Sequence, residues 1–325
     1  SGEGGPRMSA ADTPGFALVT GTALWHIAAM RRIGIDLGGT KIEGCVLDDA
    51  DGRVLRRQRV PTEQERGYDH IVETIAGLVE ALAGDATGGV AVGVGTPGAV
   101  SARTGLMKNS NTTCLNGRDL PADLARRLGR PVRVENDANC FALAEACRGA
   151  GRGGRLVFGV ILGTGCGGGL VIDGRLWSGP QHIAGEWGHH VIDPAGPPCY
   201  CGQRGCVEAF IAGPAVERHH RQLGGAALDM EGIVAAARAG DATARAAFDS
   251  FIAHFGRALA NLITMLDPDV IVLGGGLSNI EELYSEGRAA VARVLFNDEL
   301  RTPICRHQLG DSAGVIGAAL LAPGG

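Results

Sequence analysis

Twice in this chain an apolar strand runs into a glycine turn and straight back into a second apolar strand. The first instance is Arg32 to Val46, RIGIDLGGTKIEGCV, and the second is Ile161 to Gly174, ILGTGCGGGLVIDG. Extended segments joined by so short a turn pair as an antiparallel hairpin. The first segment runs on to Asp48 and the second ends on Asp173-Gly174, so they read as one unit used twice, of a βββαβα type. Two such units would bring their glycine turns face to face across a cleft. Facing turns of this kind suit a polyphosphate.

The segments between fit that plan. Val54 to Arg59 supplies a third short strand. Tyr68 to Ala83 carries Ile71, Val72, Ile75, Leu78, Val79 and Leu82 at helical spacing. Val90 to Val94 reads as a buried strand ending at Thr96-Pro97-Gly98. Asp119 to Leu128 reads as a helix, Val132 to Glu135 as a strand and Ala138 to Cys147 as a helix. In the second half, Leu156 to Leu162 and Gly168 to Ile172 are strands. Helices follow around Glu231 to Ala239 and Ala242 to Leu266. Val270 to Leu273 is a buried strand entering Gly274-Gly275-Gly276, and Gly314 to Leu321 is a closing helix. The class is α/β. A length of 325 residues suits two domains of roughly 150 residues each.

Composition narrows the partners. The net charge is −5, no long basic run appears, and there are three Trp and three Tyr. Nucleic acid is therefore not expected as a partner. Of the nine cysteines, three stand as Cys199-x-Cys201-x4-Cys206 and the rest are single. That pattern reads as metal binding in a reducing compartment, so a cytoplasmic location is expected. Ser1 to Arg7 read as a leader or an appended segment. Phe16 to Met30 is mildly apolar, lacks a basic flank, and is short for a membrane span of about 20 residues. Residues 1–30 are expected to form a poorly ordered extension, with no membrane partner.

Four constellations carry chemistry. In Asp36-Leu37-Gly38-Gly39-Thr40-Lys41, the glycines leave backbone N–H groups open to phosphate oxygens. Asp36 suits Mg²⁺ held through water, and Lys41 would neutralise phosphate charge. The spacing is not that of a P-loop, and a plain hairpin turn fits as well. Gly163-Thr164-Gly165-Cys166-Gly167-Gly168-Gly169 has five glycines in seven residues. A packing reason for so many is hard to find, so phosphate binding is the expected role. Gly275 is expected on the adenosine side, although a strand-to-helix turn explains it nearly as well. In Glu135-Asn136-Asp137-Ala138-Asn139, Asn and Asp are good helix caps. The functional reading makes Asp137 a general base and Asn136 a sugar-orienting group. Finally, Glu186-x-x-His189 precedes Cys199-x-Cys201-Gly202-x-x-Gly205-Cys206-x-Glu208. One imidazole and three thiolates form a closed, structural zinc set. His190 is expected to be exposed or behind it. Asn109, Asn111 and Asn116 form a polar loop, with Asn111 or Asn109 as a candidate sugar contact.

Taken together these segments resemble the ROK (repressor, open reading frame, kinase) family. The stretches that carry the likeness are IGIDLGGTKIEGCVLD, VGVGTPGAV, NDANCFALAEA, GVILGTGCGGGLVIDG, GEWGHHVIDPAGPPCYCGQRGCVEAFIAG and DPDVIVLGGGLSN. They span about residues 31 to 321. The resemblance implies an actin-like ATPase fold of two RNase H-like domains around a nucleotide and sugar cleft. On that fold the expected limits are 31–147 for a small first domain, with a helix over 312–322 packing back on it. A larger domain would cover 148–311 and hold the zinc loop at 186–208. The resemblance also implies ATP and Mg²⁺ in the cleft, structural Zn²⁺ on His189, Cys199, Cys201 and Cys206, and Asp137 as catalytic base. Phosphorylation would fall on the sugar 6-hydroxyl. Sugar contacts would come from Asn136, Asp137, Glu186, His189 and Glu208. The nucleotide would lie on Asp36, Gly38, Gly39, Thr40 and Lys41, and on Gly163, Thr164, Gly165, Gly167, Gly168 and Gly275. A homodimer is expected. The motifs look most like bacterial fructokinases, with N-acetylglucosamine kinases as near neighbours, so the expected acceptor is fructose. Glucose, mannose and N-acetylglucosamine are the alternatives, and a non-enzymatic sugar sensor is the reading outside catalysis. Thirty residues before the fold are too few for the winged helix of the family's repressors.

Overall fold

The computed structural model describes residues 31–48, 51–84 and 90–322. The expected extension over residues 1–30 lies outside them. The first unit is built from strands β1 (Arg31–Leu37), β2 (Lys41–Asp48), β3 (Val54–Pro61), β4 (Val90–Thr96) and β5 (Val132–Asn136). Its helices are α1 (Tyr68–Ala83), α2 (Leu120–Leu128) and α3 (Asp137–Arg148). The second unit has strands β6 (Leu156–Leu162), β7 (Cys166–Ile172), β8 (Arg175–Leu176), β9 (Val270–Gly274) and β10 (Ile304–Arg306). Its helices are α4 (Glu208–Ile211), α5 (Gly213–Gln222), α6 (Met230–Arg238), α7 (Ala242–Leu266), α8 (Glu286–Val294) and α9 (Ala313–Leu321).

The duplication inferred from the two hairpins is explicit in the sheets. The first runs β3-β2-β1-β4-β5 and the second β8-β7-β6-β9-β10. In each, the opening hairpin is antiparallel and the two later strands add in parallel. Parallel strands are covered on both faces, which is why they read as apolar runs. Along β6, Phe158, Val160 and Leu162 face one core while Val157 and Ile161 face another. Along β9, Ile271 and Leu273 divide from Val270 and Val272 in the same way. The edge strand β3 is polar, and Arg57 and Arg59 reach back to the buried carboxylate of Glu43 on β2, a charged edge that blunts further strand pairing.

The inner helices are exchanged. Helix α3 follows the first sheet in sequence but lies on β6 and β7, and α9, from the chain end, lies on β1 and β4. The sites where they lie are glycine pairs in register. Gly34 stands beside Gly93 on the first sheet, and Gly159 stands beside Gly169 on the second. A Cβ on Gly34 would fall 2.1 Å from the Val315 carbonyl, and one on Gly159 would fall 2.6 Å from Ala142 Cβ. The two helices then meet each other, where a Cβ on Gly317 would fall 1.8 Å from the Cys140 carbonyl. Among the described residues no helix is long and apolar enough to cross a membrane.

Substitution at Gly317 tests this contact. Gly317→Ala forces a methyl into backbone and should destabilise by about 1–3 kcal/mol or more. Gly77→Ala on α1 meets nothing within 4 Å and should stabilise by about 0.5–1 kcal/mol. Paired denaturant titrations measure both. Equal stability in the two variants would remove the α3–α9 contact as a constraint.

Candidate active site

The carboxyl ends of β4, β5, β6 and β9 open onto a single cleft of about 990 Å³. Strand ends of this kind are where open α/β sheets place ligands. Asp137 stands on its floor as the first residue of α3. Asn136 caps that helix, its Oδ1 accepting from the Ala138 N–H at 2.9 Å. Asp137 Oδ1 accepts from the same N–H at 2.7 Å. Burial pushes the Asp137 carboxyl up to about 6, the nearby charge of Glu186 adds to this, and the Ala138 N–H works against it.

A second carboxyl behaves alike. Asp36, near the end of β1, is raised to about 6 by burial, then by the charges of Asp137 and Glu43, with Lys41 opposing. A Cβ on Gly314 would fall 2.8 Å from Asp36 Oδ2, so the start of α9 abuts this acid. Two acids that share one field in this way are short of a positive charge, which is the donor chemistry a divalent cation meets.

One wall of the cleft is the segment 186–208. Trp187 is buried, donates from Nε1 to the Gly167 carbonyl at 2.8 Å, and meets Phe158 edge-on at 6.3 Å. That wedge holds Glu186 and His189 on either side of it. The donor atoms of His189, Cys199, Cys201 and Cys206 all lie within 4.8 Å of one another. His189 Nδ1 is 3.6 Å from Cys199 Sγ, and Cys201 Sγ is 3.6 Å from Cys206 Sγ. This set of three sulfurs and one imidazole nitrogen fits a tetrahedral zinc site. Glu208 Oε2 accepts from the Cys166 N–H at 2.9 Å, which ties this wall to the glycine turn between β6 and β7. The opposite wall presents Lys108, Asn109 and Asn111. Asn116 does not face the cleft. It clamps the loop by bonding both the N–H and the carbonyl of Ser110.

The cleft lining includes Asn111, Asn136, Asp137, Glu186, His189 and Glu208, and also Gly163, Thr164, Gly165, Gly167, Gly168 and Gly275. Gly38, Gly39, Thr40 and Lys41 are outside that lining, as is Asp36. They form the β1–β2 turn, closed by Gly38 N–H to the Lys41 carbonyl at 3.0 Å and by Thr62 Oγ1 to the Gly38 carbonyl at 2.8 Å. One expectation needs correction. Packing does explain part of the glycine run. A Cβ on Gly168 would fall 2.7 Å from Trp187 Cδ1, and one on Gly169 would fall 2.7 Å from Ala142 Cβ. Gly163 has nothing within 4 Å, and a Cβ on Gly165 would approach only Glu208, its Oε2 at 2.9 Å. The open glycines are thus the first two of the run. Gly275 likewise has a packing reason, since its Cβ would fall 2.3 Å from the Leu162 carbonyl.

Residues given no role in the motif reading also shape the site. Glu135 accepts from the Asn136 N–H, from Asn139 Nδ2 at 3.0 Å and from Ser178 Oγ at 2.9 Å. It thereby joins the end of β5 to the loop before Glu186. Tyr200, Gln203, His182 and Ile183 line the cleft. Position between the cysteines was the available signal for Tyr200 and Gln203. His190 lies 3.3 Å from Asn261 Nδ2.

Such a fold, with a buried acid, an open glycine turn and a polar second wall in one cleft and a second acid coupled to the first from outside its lining, fits a sugar kinase of the actin-like ATPase class. The ROK family profile matches residues 32–324. The chain belongs to the ROK family. It is 40% identical over 298 residues to the N-acetyl-D-glucosamine kinase of Photobacterium profundum, covering 89% of this chain and 98% of that protein. The crystal structure of a ROK hexokinase from Thermus thermophilus superposes with a TM-score of 0.82 at 36% identity, covering 90% of this chain and 98% of that one. A ROK family glucokinase from Streptomyces griseus, in complex with glucose and AMPPNP, superposes with a TM-score of 0.72 at 33% identity, covering 90% and 99%.

The raised Asp137 carboxyl has a stability consequence. Its folded value of about 6 lies above the ordinary 3.8, so ionisation favours the unfolded chain. The contribution is most favourable below the ordinary value and is lost as pH rises through 6. Asp137→Asn should therefore raise Tm relative to wild type at pH 7.5 and change it little at pH 4.5. A Tm difference that is the same at both pH values would rule out a raised carboxyl at this position.

Proposed function

We propose that this sugar kinase transfers the γ-phosphoryl group of ATP to the 6-hydroxyl of N-acetyl-D-glucosamine. The observation that carries the reading is Asp137. It is a carboxylate on the floor of the cleft, poised near neutrality, between the open glycine turn and the acidic wall. Asp137 takes the proton of the sugar hydroxyl as phosphorus is transferred. A positioned base typically contributes 10² to 10⁴ in rate, and positioning and electrostatics supply more. Asn111, Asn136, Glu186 and Glu208 hold the sugar hydroxyls, and His189, a sugar contact in the motif reading, stands beside them with its Nε2 3.0 Å from the Tyr200 hydroxyl oxygen. Backbone N–H groups of the Gly163–Gly165 turn, with Thr164, hold the phosphates. The β1–β2 turn with Lys41 serves the same charge, and Gly275 borders the nucleotide.

Magnesium would neutralise phosphate charge, with Asp36 holding it through water. Zinc on His189, Cys199, Cys201 and Cys206 would fix the wall that carries Glu186 and Glu208. The 40% identity to an N-acetyl-D-glucosamine kinase favours that acceptor over the fructose read from the motifs. The shared motifs describe phosphate and hydroxyl contacts. They do not report the room beside the sugar's C2 substituent, where fructose and the N-acetyl sugars differ.

A panel of N-acetyl-D-glucosamine, glucose, mannose and fructose at fixed ATP, followed by ADP release, should rank N-acetyl-D-glucosamine first in kcat/KM. Fructose in first place would overturn the acceptor. Asp137→Asn should retain sugar binding and lose about a hundredfold or more in kcat. In wild type, kcat/KM should fall about tenfold per pH unit below pH 6 as Asp137 gains its proton. Metal analysis should find one zinc per chain, and Cys206→Ser should lower both zinc content and Tm. Full occupancy in that variant would exclude Cys206 as a ligand.

A further inference from the structure

The metal-loop wall carries a side chain that neither the motif pattern nor the donor set explains. Tyr200 lies between Cys199 and Cys201 and is 78% exposed. An exposed tyrosine on a loop is usually loose. This one is held: its hydroxyl oxygen is 3.0 Å from His189 Nε2, and its ring meets the imidazole edge to face at 5.1 Å and 88°. It lines the cleft beside Glu186, His189, Gln203 and Glu208.

The hydrogen bond has a direction set from behind. His189 Nδ1 faces the thiols, 3.6 Å from Cys199 Sγ. Zinc held on Nδ1 would leave the ring proton on Nε2, which would then donate to the phenol oxygen. The phenol's own O–H would be left without an acceptor among the described residues.

That free donor stands on a wall of acceptors. Carboxylate oxygens accept, so Glu186 and Glu208 suit sugar hydroxyls, which can donate. A carbonyl oxygen also only accepts, and beside these carboxylates it needs a donor. We propose that Tyr200 is a specificity-determining residue whose O–H donates to the carbonyl of an acetamido group on the acceptor sugar. His189 acts on this choice as a positioning residue, holding the phenol from its metal-facing ring. The proposal rests on the N-acetyl sugar reading given above.

Tyr200→Phe keeps the ring and its edge contact and removes only the hydroxyl. In calorimetric titration without nucleotide, the Kd for N-acetyl-D-glucosamine should rise about tenfold while that for glucose changes less than about threefold. kcat/KM for the two sugars should split in the same ratio. Zinc content and Tm should match wild type, and their agreement separates loss of a donor from loss of the loop. If wild type binds N-acetyl-D-glucosamine and the variant shifts both sugars equally, or neither, Tyr200 has no such role. If wild type does not bind N-acetyl-D-glucosamine, the acceptor reading fails, and the role of Tyr200 fails with it.

Discussion

A helix can lie at backbone distance from a sheet only where the strands beneath it carry no side chains. Here that condition is met twice, at Gly34 with Gly93 and at Gly159 with Gly169. It is met a third time where α9 touches α3, at Gly317 against Cys140. Because α3 and α9 are exchanged between the sheets, neither sheet is covered on its inner face by the helix that follows it in its own unit. The shared core makes this concrete: Cys45 and Leu47 of the first sheet pack in one cluster with Val157, Val171 and Val272 of the second, around Phe141 and Val315. A second bond crosses the same seam. The buried carboxylate of Glu145 on α3 accepts from the N–H groups of Ala150, Gln308 and Leu309, which anchors the approach to α9.

The chemistry follows from that crossing. Asp137 is the first residue of α3, and Asp36 abuts the first turn of α9. Asp137 in the cleft and Asp36 outside its lining therefore sit at the amino ends of the two crossing helices. A helix amino end favours negative charge, while burial and mutual repulsion disfavour it. Burial wins at both sites, and both carboxyls rise to about 6. The fold thus carries a destabilising pair near neutrality, an arrangement typical of sites selected for reactivity over stability.

Much of this was legible in the residues, and the limits have physical causes. The strand Leu156–Leu162 and the helices Tyr68–Ala83 and Ala242–Leu266 match their expected bounds because their periodicity is strong and their ends are marked. Helices Gly213–Gln222 and Glu286–Val294 escaped notice. The first is polar through Glu217 to Gln222 and buries only a narrow strip. The second buries only Gly287, Ala290 and Val291, side chains too small to mark a face. The donor set at His189, Cys199, Cys201 and Cys206 was legible because metal ligands lie close in sequence and only a few residue types serve. The helix exchange was not, since it depends on glycine pairs such as Gly34 and Gly93 that meet only once the sheet has formed. For the same reason the packing role of Gly168 and Gly169 was hidden: from sequence alone, a glycine that admits a ligand and one that admits a neighbouring chain are the same residue.

The segment 186–208 and the glycine turn are tied to each other. Trp187 bonds the Gly167 carbonyl, Glu208 bonds the Cys166 N–H, and Gly185 packs so closely that a Cβ there would fall 2.6 Å from the Gly168 carbonyl. Both hydrogen bonds run to the hairpin of the second sheet, so this wall of the cleft and the glycine turn share one support. Asp137 comes to them on α3, which lies on that same sheet, while its capping neighbour Asn136 still belongs to β5 of the first. The second sheet therefore places the Asp137 carboxyl together with the glycine turn, and the single peptide bond between residues 136 and 137 joins it to the first sheet.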